Sequence, residues 1–413
     1  MNVLQVNKFF YKRGGAEHHM FDLAELLTKH GDNVLYFSMQ DKHNEKSEFS
    51  KYFVSNADFS SDTKINFWQK IKNVGRMFYS FEAKKKIGEL LKNEKIDLVH
   101  LHNIYHHISP SILPVIKKQG IPVVMTLHDY KLLCPNYTFY HHGAVHEEDG
   151  RGWYCSCVKN KCLNNSFVQS FIVTMEMIFH NKLKKYYEKN VDLFIAPSQF
   201  VKDIFVRFGW DEKKIVVLEH FLPLNFKIKD RVSDLPKEKR FICVGRLSSE
   251  KGIDKLIKYW LKNNIKYKLD IFGNGPLMPT LQELVSGCEN IILHGQKDRN
   301  EIYKNIVDYT AMIVPTEFYE PFGLIVLEAF ASGLPVITSG RGALGGLIKK
   351  SKAGLIFSWD NNSLQEKLEQ INDSHRASTF GDKKYRENAL QYIRENHQAE
   401  GYYNEIMRIY KSV

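Results

Sequence analysis

Short apolar segments of strand length alternate with segments of helical apolar spacing along nearly the whole chain, and the alternation runs twice, broken once by a polar stretch. No other feature restricts the fold as strongly. Strands joined by helical crossovers pair in parallel, with helices covering both faces of the sheet. In the first run Asn2–Val6 reads as a strand and Gly14-Gly15 as a glycine turn. Ala16, Met20, Leu23 and Leu27 then form the apolar stripe of a helix that Gly31 ends. Strands follow at Val34–Ser38, Asp97–Leu101, Val123–Leu127 and Val191–Ala196, with a helix at Ile112–Lys118. Ser198 is placed to cap a helix running toward Phe208.

Lys227–Arg240 is polar, holds one proline and has no apolar period, so it reads as a linker. Beyond it the pattern restarts with strand Phe241–Val244, helix Ile253–Trp260 and strands Lys268–Phe272 and Ile291–Leu293. It continues with helix Glu301–Ile306, strand Ala311–Val314, helix Leu324–Ala331 and strand Pro335–Thr338. The expected fold class is α/β, with two facing, doubly wound Rossmann-like domains. The first spans about 1–225, with an insert at about 130–165, and the second about 240–385. A helical segment, 386–413, is expected to cross back to the first domain. Such sheets bind ligands at the carboxyl ends of their strands, so the expected site is the cleft between the domains.

The net charge of +11 suits nucleic acid, an anionic membrane surface or a phosphorylated substrate. No basic-aromatic pattern of an RNA-binding module is recognisable, so nucleic acid is not expected. The N-terminus lacks the order of a signal peptide, and no apolar run approaches the ~18 residues of a membrane span. A cytoplasmic location is expected.

Strand Phe241–Val244 runs directly into Gly245-Arg246-Leu247-Ser248-Ser249-Glu250-Lys251-Gly252 and then a helix. A glycine turn at a helix start exposes amide N–H groups, and Arg246 and Lys251 add two positive charges suited to a diphosphate. The alternative is an ordinary strand–helix connection with two solvated cations. Farther on, Glu320-Pro321-Phe322-Gly323-Leu324 opens a helix that carries Glu328. Gly323 admits close backbone approach, and the two carboxylates suit sugar or ribose hydroxyls better than phosphate. The alternative there is a helix cap and a solvated carboxylate.

GRLSSEKG, FGNGPL (Phe272–Leu277) and EPFGLIVLEAFASGLPVI (Glu320–Ile337), in that order, resemble the nucleotide-sugar-binding half of glycosyltransferase family 4, retaining enzymes of the GT-B fold. Gly14-Gly15-Ala16-Glu17, DLVHLHN (Asp97–Asn103) and TLHD (Thr126–Asp129) carry the resemblance into the first half. It implies that Arg246 and Lys251 clamp a diphosphate, that Glu328 holds the ribose and that Glu320 touches the donor sugar. It also makes Gly14, Gly15, Gly273, Asn274, Phe322, Gly323 and Leu324 donor-binding positions. His128 is implied to be the active-site histidine facing the donor sugar. The implied reaction moves a hexose from a nucleoside diphosphate sugar, UDP-linked by family frequency, to a saccharide or lipid-linked saccharide in surface polysaccharide assembly.

No Asp-x-Asp triplet occurs and no carboxylate nucleophile is evident in TLHD, so cations and helix N-termini are expected to stabilise the leaving diphosphate without a metal cofactor. Two rivals share the site. One is a nucleotide-sugar epimerase, and the other is a binding protein that has lost catalysis.

Eight of the seventeen histidines fall between residues 100 and 146. His102, Asn103 and Asp129 are candidate acceptor contacts on a polar wall, or else surface and strand-end groups. Cys134, Cys155, Cys157 and Cys162 follow in the insert. In a reducing compartment they read as a tetrahedral structural zinc site or as free thiols. Lys64–Lys86 sets Phe67, Trp68, Ile71, Val74, Phe78 and Phe81 on one helical face among Lys70, Lys72 and Arg76. That suits an anionic membrane at the inner face of the cell membrane, or a helix packed on its own sheet.

Overall fold

The computed structural model describes residues 1–57, 67–230, 238–304, 306–360, 362–371 and 382–413. Half of the polar linker, 231–237, and the Lys64–Asn66 start of the basic stretch lie outside them. The chain divides into two units: Met1–Phe139 with Glu147–His220 and Ala399–Val413, and Tyr140–His146 with Phe221–Gln398.

The first part of the chain forms strands β1 (Asn2–Val6), β2 (Asn33–Phe37), β3 (Leu98–Leu101) and β4 (Val123–Thr126). A short hairpin, β5–β6 (Tyr140–His141 and Ala144–Val145), then precedes β7 (Leu193–Ala196) and β8 (Ile215–Val217). The first unit is built on a six-stranded sheet of order β2-β1-β3-β4-β7-β8, whose pairings are parallel throughout. Helix Gly15–Lys29 turns Met20, Leu23 and Leu27 inward, as its apolar spacing requires. The C-terminal helix Ala399–Tyr410 packs on the same unit, where the Tyr403 hydroxyl donates to Asp32 at 2.9 Å.

The second unit holds β9 (Arg240–Val244), β10 (Lys268–Phe272), β11 (Ile291–Gly295), β12 (Ala311–Val314), β13 (Val336–Thr338) and β14 (Gly354–Ile356). They pair in parallel in the order β11-β10-β9-β12-β13-β14. Successive residues of a strand face opposite sides. Ile242, Met312 and Val336 therefore enter one core with Leu327 and Phe330, while Phe241, Cys243, Ile313 and Ile337 enter another with Leu256 and Trp260.

Three features depart from the sequence expectation. Helix Asp382–Asn396 stays with the second unit because Ala389 and Ile393 are buried beside Phe330 and Leu334, so the return to the first unit comes after Gln398 rather than at 386. The hairpin β5–β6 belongs to the second unit although the sheet of the first flanks it in sequence.

The basic stretch is two helices, Phe67–Phe78 and Phe81–Asn93. Ser80 separates them, and its hydroxyl accepts from the Ala83 amide at 3.1 Å. Phe81 therefore leaves the face proposed for it. Arg76 also turns inward, donating to the His107 carbonyl at 2.9 Å and the Ser55 hydroxyl at 3.0 Å.

Candidate active site

In the second unit the two glycine motifs brace each other. After β9, the Gly245 amide donates to the Phe272 carbonyl and the Leu247 amide to the Asn274 carbonyl, both at 3.0 Å. The Leu277 amide returns to the Leu247 carbonyl at 3.0 Å. Gly273, at φ +139°, leaves no room for a Cβ against the Gly245 carbonyl. That contact is why FGNGPL must carry glycine where it meets GRLSSEKG. Gly252, at φ +68°, heads helix Ile253–Lys262 without a side-chain cap, and Gly323, at φ +102°, heads helix Leu324–Ala331 in the same way. Each helix thus opens with amide N–H groups not bonded by a capping side chain, the arrangement that receives anions.

A second set of bonds draws the segment after β12 onto the first glycine loop. The Glu317 amide donates to the Glu250 carbonyl at 2.9 Å, and the Thr316 hydroxyl donates to the same oxygen at 3.2 Å. Lys251 Nζ then reaches Glu320 Oε2 at 2.9 Å and Oε1 at 3.3 Å. Arg246 is exposed, with no ion pair to a carboxylate among the described residues. Phe322 is buried, so only the backbone around it is available to a ligand.

Glu328 is mostly buried and meets groups that motif reading missed. Arg299 lies 2.5 Å from its Oε1, and the Tyr303 hydroxyl donates to Oε2. Burial pushes this carboxyl above its ordinary pKa, against the pull of Arg299 and Tyr303. Phe226 closes the group, 5.3 Å beneath the Arg299 guanidinium and 5.2 Å from the Tyr303 ring. Arg299 and Tyr303 lie outside the glycine motifs, so spacing alone did not single them out. From the hairpin, the Tyr140 hydroxyl donates to the Ser249 carbonyl at 3.4 Å. Burial, with Glu317, Asp254 and Glu250 nearby, pushes the Tyr140 phenol up to about 12.

In the first unit Gly14 heads helix Gly15–Lys29, and the buried Glu17 accepts from Asn7 at 3.2 Å. His128 stands two residues beyond β4, half-buried, with its Nε2 2.8 Å from His102 Nδ1. Burial depresses its pKa to about 3, so it is neutral at physiological pH.

Residues 13–226 match the profile of Glycosyltransferase Family 4, and residues 225–394 match that of Glycosyl transferases group 1. The chain belongs to glycosyltransferase family 4. Over 356 residues this transferase is 27% identical to an uncharacterized 42.6 kDa protein in the cps region of Klebsiella pneumoniae, covering 83% of this chain and 86% of that one. Over 292 residues it is 23% identical to an alpha-monoglucosyldiacylglycerol synthase of Acholeplasma laidlawii, covering 66% of each. HepE from Anabaena, in complex with UDP and glucose, aligns over 100% of both chains with a TM-score of 0.67 at 16% identity. That likeness is one of fold, and the fold is GT-B, built from two Rossmann-like units.

The candidate acceptor residues of the transferase are each engaged within the first unit. His102 is fully buried with both ring nitrogens engaged, so it offers none to a saccharide. Asn103 is 8% exposed, and its Oδ1 accepts from Tyr105 at 2.8 Å. Asp129 is bonded by the Tyr105 hydroxyl and the Lys131 amide, and burial raises its pKa.

The four cysteines do not assemble either. Cys157 and Cys162 are joined as a disulfide, with Cα atoms 4.9 Å apart, because the turn of helix Cys155–Lys159 returns the Cys162 amide to the Cys157 carbonyl. Cys134 is buried, with its thiol donating to Asn136 at 3.1 Å and pushed up to about 12 by desolvation, while Cys155 is exposed. Among the described residues no group of three His, Cys, Asp or Glu side chains could hold a metal ion.

Proposed function

We propose that this glycosyltransferase moves a hexose, with retention, from a UDP-linked donor to a saccharide or lipid-linked saccharide during surface polysaccharide assembly. The observation that carries the donor assignment is the meeting of Lys251 with Glu320 beside two helix N-termini that lack side-chain caps. A diphosphate there is met by Lys251, Arg246 and backbone amides, while Glu320 and Glu328 accept from hydroxyls of sugar and ribose. The UDP and glucose named with HepE favour a uridine donor, and the cps region of the Klebsiella relative favours a polysaccharide product.

In this mechanism cations and helix dipoles stabilise the departing diphosphate. The donor's own phosphate takes the proton of the incoming hydroxyl on the face it leaves. His128, being neutral, serves by hydrogen bonding. Incubation with a panel of nucleotide sugars, with and without chelator, tests the proposal through nucleotide release and the anomeric configuration of the product. Turnover without a second saccharide would favour an epimerase. Loss of activity in chelator, restored by Mg2+, would overturn the metal-free step.

A specific surface favours an acceptor held at an anionic membrane. Helix Phe67–Phe78 exposes Trp68 and Ile71, and helix Phe167–Met177, which packs against it, exposes Phe167, Val168, Phe171 and Met175. Exposed Lys72, Lys182, Lys184 and Lys185 lie on or near these helices, and the one carboxylate of helix Phe167–Met177, Glu176, is fully buried. Apolar side chains rimmed by lysine suit a bilayer of acidic lipid. Among the described residues no helix is long and apolar enough to cross a membrane.

A further inference from the structure

The first unit contains a stack of histidines of which the proposed chemistry uses only His128. His102 lies between His100 and His128, with ring centroids 4.6 Å and 5.1 Å away and interplanar angles of 18° and 23°. His19 and His220 extend the group, 4.0 Å from each other, with His220 5.7 Å from His128. The hydrogen bonds give the stack a direction. His102 Nε2 is 2.6 Å from Gln5 Oε1, and His102 Nδ1 is 2.8 Å from His128 Nε2. His100 is tied separately, to the Tyr410 hydroxyl and to Thr126 Oγ1, both at 2.7 Å.

Proton positions follow from the Gln5 end. A carboxamide oxygen only accepts, so His102 Nε2 must carry a proton. The charges acting on His102, those of His100, His128 and His220, all disfavour a second proton, as does its burial, so its Nδ1 is a lone pair. The 2.8 Å contact then requires His128 Nε2 to donate. His128 is neutral as well, which leaves Nδ1 as its unprotonated nitrogen. That atom has no hydrogen-bond partner among the described residues, and the residue is partly exposed. Which nitrogen of a histidine is free depends on the bond the other one makes.

We propose that His102 is a positioning residue that, held by Gln5, fixes His128 as the Nε2–H tautomer, so that His128 offers substrate an acceptor and not a donor. The group it meets is accordingly a hydroxyl donating its hydrogen, as a sugar hydroxyl does. This step rests on the transferase reading above, but the tautomer itself does not.

Nitrogen NMR of histidine-labelled protein, with His128 assigned by loss of its signals in His128→Phe, decides the tautomer without substrate. The expected result is Nε2–H at His128 in the wild type. The opposite tautomer, Nδ1–H, would overturn the proposal, because it means the Gln5 amide is turned and the chain of donors reversed. In kinetics, His102→Leu should lower kcat about 10–100-fold, the scale on which outer partners of a histidine act, with the Kd for UDP unchanged. His102→Asn, whose Oδ1 stands near the lost Nδ1, should recover most of that loss, and Gln5→Met should reproduce part of it. Equal kcat in folded His102→Leu and wild type would also overturn the role. Should no nucleotide sugar be turned over, the donor assignment fails while the NMR result still stands or falls alone.

Discussion

Lys251 Nζ sits 2.9 Å from Glu320 Oε2, although 69 residues separate them in sequence. The side chains are 30% and 17% exposed, so neither charge is fully solvated. In the absence of donor each holds the other where a diphosphate and its sugar are proposed to lie. Binding the diphosphate therefore means taking Lys251 partly away from Glu320.

The pair predicts opposite effects on two measurements. Lys251→Ala or Arg246→Ala should weaken UDP binding at least about tenfold by calorimetry, since each removes a charge-assisted contact of about 1.5–3 kcal/mol. Glu320→Gln should leave UDP affinity equal or raise it, because the competing carboxylate charge is gone, while kcat falls. Weaker UDP binding in Glu320→Gln would contradict the competition.

Arg299 and Glu328 should behave as a unit. Removing the guanidinium leaves a mostly buried carboxylate held only by Tyr303, a loss of about 1–3 kcal/mol. Arg299→Ala should thus lower the stability of the second unit in denaturant, and Glu328→Ala should lower it less while reducing nucleotide affinity. Combining the two should cost less than the sum, which a double-mutant cycle would measure.

Gly273→Ala tests the brace between the glycine motifs. Its φ of +139° is strained for an alanine, and the new Cβ would collide with the Gly245 carbonyl. The expected outcome is a loss of at least about 1–3 kcal/mol in the second unit, together with weakened UDP binding. Gly287→Ala, where φ is also positive but no atom lies within 4 Å of a Cβ, should show the strain without the collision.

The buried histidines predict acid sensitivity. His100, fully buried and bonded to Tyr410 and Thr126, has its pKa lowered to about 3 by desolvation first and the neighbouring His128 second, against an ordinary value of 6.5. Between those values the unfolded chain binds the proton and the folded unit does not. Stability is therefore full above about pH 6.5 and is lost as pH falls, by up to about 1.4 kcal/mol per pH unit for each such histidine. Denaturant titrations from pH 7.5 to 4.5 should show this slope, and His100→Asn should flatten it. Stability constant over that range would show that the histidines protonate in place.

Vesicle binding distinguishes the proposed membrane surface from an ordinary exposed one. Binding to acidic lipid should fall steeply with salt, each lysine contributing about 1 kcal/mol near such a surface. Phe167→Ser with Phe171→Ser should weaken it while nucleotide release from a soluble acceptor is unchanged. Arg76→Gln is not expected to act through the membrane, because that guanidinium is engaged by His107, Ser55 and Glu82.

The alternation of strands and helices, the glycine motifs and the candidacy of Arg246, Lys251, Glu320 and Glu328 were legible in the chain itself. Periodicity and glycine conformation are local properties, expressed within a few residues of where they are written. The tertiary structure alone decided what those residues meet. His102 lies 26 residues from His128 and 97 from Gln5, and His100 lies 310 from Tyr410, so their partners depend on the order β1-β3-β4 and on where the last helix docks. The same holds for Arg299 against Glu328. A count of thiols carries no distances, and the fold joined Cys157 with Cys162 while Cys134 stayed a buried free thiol and Cys155 an exposed one. The apolar face of the basic stretch misled because Ser80 caps the start of a second helix where the periodicity alone would have continued the first.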